Sequence, residues 1–190
     1  MIPHLANNDR KMFYRFLDIS KVYFEFGSGG STYQASIRNN IEHIYSVESD
    51  IQWQKVLKLN IHNNNITYIF NEMNTKHNTW GNPGKNATDI QKINYSNSLK
   101  TLTKEEQNTI DYILIDGRFR VACCLKCYEL INDDCIIAFD DFLNRPHYHI
   151  ILDFFYIVEK TNDNRMVILK KKKQKCIPYE LIEMYQLVHQ

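Results

Sequence analysis

The sequence predicts an α/β domain in which a mainly parallel sheet is covered by helices on both faces. Three observations carry that expectation. Short apolar runs alternate with helix-patterned stretches along most of the chain. The first run, Val22 to Phe26, ends in a bare turn, Gly27-Ser28-Gly29-Gly30. Carboxylates then recur at the ends of later runs, at Glu48, Asp116 and Asp140-Asp141. With 190 residues, the chain suffices for one such domain and its core, and residues 1–190 are read as a single unit.

The elements follow in order. Asn8 to Asp18 reads as an entry helix with Met12, Phe13, Phe16 and Leu17 on one face. After the first strand and its turn, Ser31 or Thr32 is placed to cap a helix running to about Asn39. Ile44 to Val47 forms the second strand, Asp50 starts a helix through Ile61, and Ile66 to Phe70 forms the third strand. The stretch from Thr75 to Gln107 breaks the rhythm, being polar and interrupted by Gly81, Pro83 and Gly84. It reads as an inserted lid or disordered loop. Ile110 to Ile115 is the fourth strand, followed by a helix from about Phe119 to Ile131, and Cys135 to Phe139 is the fifth. Asp153 to Glu159 and Arg165 to Lys170 read as a terminal antiparallel pair joined by Thr161 to Asn164. Leu181, Met184, Tyr185 and Val188 form the stripe of a last amphipathic helix, to be buried on its own sheet or in a homodimer.

Bulk composition narrows the function classes. Lys and Arg total 23 against 22 for Asp and Glu, so nothing in the balance suggests a general nucleic-acid or membrane binder. No apolar run approaches a membrane span, and Met1 to Phe16 lacks the apolar stretch of a secretion signal. Reduced cysteines in an intracellular, cytoplasmic setting are therefore expected. Cys123, Cys124 and Cys127 fall within one helical turn and are read as buried small residues rather than zinc ligands. Heavy use of Asn, Ile and Lys fits an AT-rich genome such as that of a large virus or a protist, in which case the setting is a host cytoplasm.

The spacing of glycines and acids points to a cofactor. Glu48 ends the second strand roughly 20 residues after the turn, where an acid at the sheet crevice accepts hydrogen bonds from a ribose diol. Glu25 ends the first strand, and a carboxylate beside a pyrophosphate would be electrostatically unfavourable. It suits S-adenosylmethionine, which carries a sulfonium and an ammonium and no phosphate. The stretch Glu25-Phe26-Gly27-Ser28-Gly29-Gly30-Ser31-Thr32 resembles the E-x-G-x-G signature of class I S-adenosylmethionine-dependent methyltransferases, with Glu48 and Ile113-Leu114-Ile115-Asp116-Gly117 where their next motifs fall. The resemblance spans residues 20 to 170 and implies a Rossmann-like, seven-stranded sheet of order 3-2-1-4-5-7-6. It implies that Glu25, Gly27 and Gly29 line the methionine side with Ser28, Ser31 and Thr32 beside them. It further implies that Glu48 and Ser49 meet the ribose, Asn71 to Met73 lie near the adenine, and Asp116 borders cofactor and acceptor.

Asp116, Asp140 and Asp141 end adjacent strands and can converge, and converging acids invite a hard divalent ion such as Mg²⁺. Such an ion would lower the pKa of an acceptor hydroxyl. The Asp-Gly and Asp-Asp pairs resemble those of metal-dependent sugar O-methyltransferases, which implies a sugar or nucleotide-sugar acceptor. Where that subfamily often has a further acid, this chain has Arg118, which leaves His147, His149 and Asp141 as candidate bases. Arg118 and Arg120 suit the oxygens of a diphosphate, and Trp80 offers a stacking surface. Three rival readings are kept. Lys170 to Lys173 with Lys175 could serve an RNA ribose methyltransferase, although the basic run is more simply a solvated edge. The fold could also be a degenerate binding module. Tyr156-x-x-x-Lys160 matches the short-chain dehydrogenase dyad in letters only.

Overall fold

The computed structural model describes residues 1–162, 165–173 and 175–188. Its strands are β1 (Val22–Phe26), β2 (His43–Glu48), β3 (Ile66–Phe70), β4 (Tyr112–Ile115), β5 (Ile136–Phe139), β6 (Phe155–Lys160) and β7 (Val167–Lys171). Its helices are α1 (Asn7–Leu17), α2 (Gly30–Ser36), α3 (Ile51–Asn60), α4 (Asp89–Ser96), α5 (Lys104–Thr109), α6 (Arg120–Cys127) and α7 (Tyr179–Gln186). The strands form one sheet of order β3-β2-β1-β4-β5-β7-β6, in which β7 alone runs antiparallel to its neighbours β5 and β6. This is the order that the glycine-turn resemblance implies.

Alternation along the strands divides the core between two faces. On β4, Ile113 and Ile115 join Phe24, Phe26, Val47, Phe139 and the buried side of α6. Tyr112 and Leu114 point the other way, to Tyr23, Ile44, Ala138 and the α1 residues Met12, Phe13 and Leu17. Cys123, Cys124, Cys127 and Cys135 are buried and free, in keeping with a packing role, and Cys176 is exposed.

Two expectations need correction. The insertion is not an unstructured lid: its second half folds as α4, a 3-10 turn (Ser98–Thr101) and α5. Both helices carry capping boxes, Thr88 with Gln91 and Thr103 with Glu106, which satisfy the first backbone donors and outweigh the missing periodicity. The lysine run is not a sheet edge. β7 lies inside the sheet, where Lys170 meets Asp134 at 3.6 Å and Lys171 meets Asp133 at 3.1 Å. The C-terminal stripe is only partly covered. Leu181 and Tyr185 pack against the core, while Met184 and Val188 remain exposed. In the turn between β6 and β7, Asp163 and Asn164 lie outside the described residues. Among the described residues no helix is long and apolar enough to cross a membrane.

Candidate active site

The carboxyl ends of β1, β2, β4 and β5 open on a cavity of about 600 Å³. Its floor is the glycine turn. Gly27 has a φ of +96°, and a Cβ there would lie 2.9 Å from the Gly117 Cα, so bare backbone lets the ends of β1 and β4 close together. A Cβ at Gly29 would meet nothing within 4 Å, which leaves that backbone open to a ligand.

Glu25 does not line the cavity. Fully buried, it lies beneath the turn opposite Ser46 in the β1–β2 register. Ser31 and Ser46 each donate to it at 2.6 Å, Tyr23 donates at 2.9 Å, and Thr32 also donates. Burial raises its pKa, and the four hydroxyls oppose the rise. Thr32 Oγ1 accepts from the Gly29 amide at 2.8 Å. Glu25 and Thr32 therefore shape the turn from behind. Ser28 and Ser31 reach the cavity wall, and Ser28 also bonds Ser46 at 2.7 Å.

Glu48 lines the cavity at the end of β2. Its Oε1 accepts from the Ser49 and Asp50 amides, both at 2.7 Å, which fixes the carboxylate in place. Burial pushes its pKa up to about 7 in spite of those bonds. Asp50 caps α3 through the Gln52 and Trp53 amides and meets His77 Nδ1 at 2.9 Å, tying the insertion to the sheet. Trp53 Nε1 donates to the Ser28 carbonyl at 3.0 Å. Asn71 instead donates to Ser98 at 2.7 Å and Met73 is wholly buried in the core, so neither belongs to the cavity lining.

On the opposite side the three aspartates converge as expected. The β4–β5 register ends on the pair Ile115 and Phe139, so Asp116 and Asp140 come next, side by side. Between them and Asp141 sits the buried guanidinium of Arg120. It lies 3.0 Å from Asp116 Oδ1, 3.6 Å from Asp140 Oδ2 and 3.5 Å from Asp141 Oδ2. Arg145 reaches Asp141 Oδ2 at 2.8 Å, and Arg165 pairs with Oδ1. Burial pulls the Asp141 pKa up, but Arg120, Arg165 and Arg145 more than offset it and hold it low. Asp140 is pushed up to about 8 by burial and by the charge of Asp116, and Asp116 is itself raised by burial against the pull of Arg120. The pair retains a proton near neutrality. Asp140 Oδ1 is buried without a hydrogen-bond partner among the described residues.

This donor set does not fit Mg²⁺. A guanidinium already occupies the space between the carboxylates, Asp141 is saturated by arginines, and the described residues hold no group of three ligating side chains able to take a metal. The expected role of Arg120 as a substrate ligand also changes, because its donors serve the three aspartates and the Gly117 and Asp140 carbonyls. His147 is exposed beside the Tyr148 ring, and His149 bonds the Phe142 carbonyl at 3.1 Å; neither lines the cavity.

The remaining wall combines Trp80, Arg118 and Ser49, all expected from the sequence, with an N-terminal segment that sequence reasoning passed over. Met1 to His4 runs along the mouth, and the His4 ring lies 4.8 Å from that of Trp80. The Trp80 carbonyl accepts from Arg118 Nε at 2.8 Å, and Ser49 Oγ donates to the Gly81 carbonyl at 3.3 Å. Trp80, Phe119 and Asp141 all hold left-handed backbone, the kind of local strain that gathers at functional sites. A Cβ at Gly30 would fall 2.3 Å from the Ile2 carbonyl carbon and oxygen. Gly30→Ala should therefore push the N-terminal segment off the mouth, read as faster proteolysis near residues 1–4 and a stability loss of about 1–3 kcal/mol. Unchanged proteolysis would show that the segment is not held by that contact.

The sheet order, the glycine turn and the strand-end acids together define the class I methyltransferase fold. The solved structures most like this chain include a methyltransferase-like protein from Silicibacter pomeroyi, 23% identical over 96% of this chain and 94% of that one, with a TM-score of 0.82. The O-methyltransferase from Bacillus cereus, solved in complex with SAH, is 11% identical over 90% of this chain and 84% of that one, with a TM-score of 0.59. The Bacillus subtilis tRNA methyltransferase TrmK is 8% identical over 88% and 67%, with a TM-score of 0.53. At these identities the likeness establishes the fold. No protein-family profile and no curated protein matches the sequence.

Proposed function

We propose that the protein is an S-adenosylmethionine-dependent methyltransferase acting on a hydroxyl of a small, sugar-like acceptor. The observation that carries this reading is one cavity with a bare glycine turn, a fixed carboxylate at Glu48 and a proton-holding pair at Asp116 and Asp140. The cofactor fits the residues present: open backbone at Gly29 admits the methionine portion, and Glu48 accepts from the ribose hydroxyls. When bound, it supplies a methyl group on a sulfonium, which needs no metal to be electrophilic. The chain's part is then to align the acceptor and take its proton. Asp140 acts as the base in its ionised form, which fills as pH rises through about 8 and is then more basic than an ordinary carboxylate. It receives that proton with Asp116 beside it, and Arg120 holds the pair in place. The near-neutral net charge favours a small acceptor over RNA.

Calorimetry with S-adenosylhomocysteine tests the cofactor half. Glu48→Ala should weaken binding by about 1–3 kcal/mol, the worth of charged hydrogen bonds. Because ribose hydroxyls donate to the ionised form, Glu48 must lose its proton to bind. Affinity should rise with pH through about 7 and level off, by roughly tenfold between pH 6 and pH 8, and Glu48→Gln should flatten the profile. Tight NADH binding in place of S-adenosylhomocysteine would overturn the assignment.

A further inference from the structure

We infer that the arginine-lined end of the cavity is an anion subsite, so that the acceptor carries a phosphate or carboxylate beside the hydroxyl presented to Asp116 and Asp140. This deepens the methyl-transfer reading and rests on it for the word acceptor only. Arg118, Arg145 and Arg165 all line this end, together with Arg120 and Asp141. The guanidiniums are preorganised. Arg145 Nη1 donates to the Tyr148 hydroxyl at 2.8 Å while its Nη2 holds Asp141, and Arg165 donates to Asp141 through Nε and Nη2. Each guanidinium has five N–H donors, so these bonds leave others for a ligand.

Charge and burial point the same way. Four arginines face Asp116, Asp140 and Asp141, with Asp9 behind Arg165 at 4.0 Å. Counted at the cavity wall itself, four guanidiniums meet three carboxylates at this end. Arg165 also lines a smaller cavity of about 280 Å³ that contains Arg10, which adds a further positive charge. A neutral sugar would leave that excess uncompensated, whereas planar guanidinium forks match phosphate or carboxylate oxygens. The buried Asp140 Oδ1, without a hydrogen-bond partner among the described residues, suits the acceptor's hydroxyl rather than its anionic group, which falls to the arginines beside it.

Pyrophosphate, glucuronate and glucose, each titrated into the protein with and without saturating S-adenosylhomocysteine, test the inference. One or both anions should bind, and glucose should bind at least tenfold more weakly; which anion wins identifies the group as phosphate or carboxylate. Arg145→Gln and Arg165→Gln should each weaken anion binding tenfold or more while S-adenosylhomocysteine affinity stays within twofold. Asp141→Asn should strengthen it severalfold by releasing the same arginines, a sign that general damage to the fold would not produce. Anion binding that is absent, matched by glucose or indifferent to the arginine variants overturns the subsite. Loss of S-adenosylhomocysteine binding alone overturns the cofactor reading and leaves the subsite standing.

Discussion

Asp140→Asn is expected to lower methyl transfer by about 10²- to 10⁴-fold, the span of a lost general base, while S-adenosylhomocysteine affinity changes by less than about twofold. Asp140 is raised to about 8 by burial and its partner's charge, so its ionised form draws a hydroxyl proton more strongly than an exposed carboxylate, and the rate should rise with pH toward about 8 as that form fills. Asparagine keeps the shape and removes the basicity. Asp116→Asn should affect both steps, since Asp116 adjoins Gly117 beneath the cofactor turn. Excess EDTA should leave the wild-type rate unchanged, because Arg120 neutralises the acids from within the fold. Full activity in Asp140→Asn, once an acceptor is identified, would remove it from the mechanism. A chelator-sensitive rate restored by Mg²⁺ would return the metal.

The largest effect on stability is expected at Glu25, and it should exceed that of any cavity residue. Glu25→Ala should cost about 3–5 kcal/mol, because four hydroxyl donors lose a common acceptor inside the core and a void opens beneath the turn. Glu25→Gln keeps an acceptor oxygen and should cost about 1–2 kcal/mol. Urea midpoints at constant slope would measure both. A loss below about 1 kcal/mol for the alanine variant would mean that the hydroxyls find other partners and that the turn does not depend on this carboxylate.

Much of the fold was legible because strand periodicity and turn chemistry agree locally. Val22 to Phe26 with its glycines, and Ile66 to Phe70, were readable to the residue. The insertion was harder: α4 and α5 lack an apolar stripe, and only the Thr88–Gln91 and Thr103–Glu106 capping pairs announce them. At the site, local reading located Glu48 and the aspartates but not their partners. Arg165 meets Asp141 because β7 runs antiparallel to β5 with Val167 opposite Phe139, which carries the residues two beyond that pair to one another. No spacing along the chain encodes that pairing. Glu25 shows the opposite failure: its position was right, but its role depended on hydroxyls from two other elements, which turned it from a ligand contact into an internal anchor.

The course of the first four residues also bears on how the protein should be handled. Met1 borders the cavity, its carbonyl accepts from Gln34 Nε2 at 2.9 Å, and the neighbouring Ile2 lies against Gly30. Any residues joined ahead of Met1 therefore emerge at the cavity's mouth, beside His4 and Trp80. An affinity tag left there would compete for the space that ligands must cross, and a preparation without binding would then reflect the tag rather than the protein. Cleaving it back to Met1 before any binding or turnover assay removes that artefact.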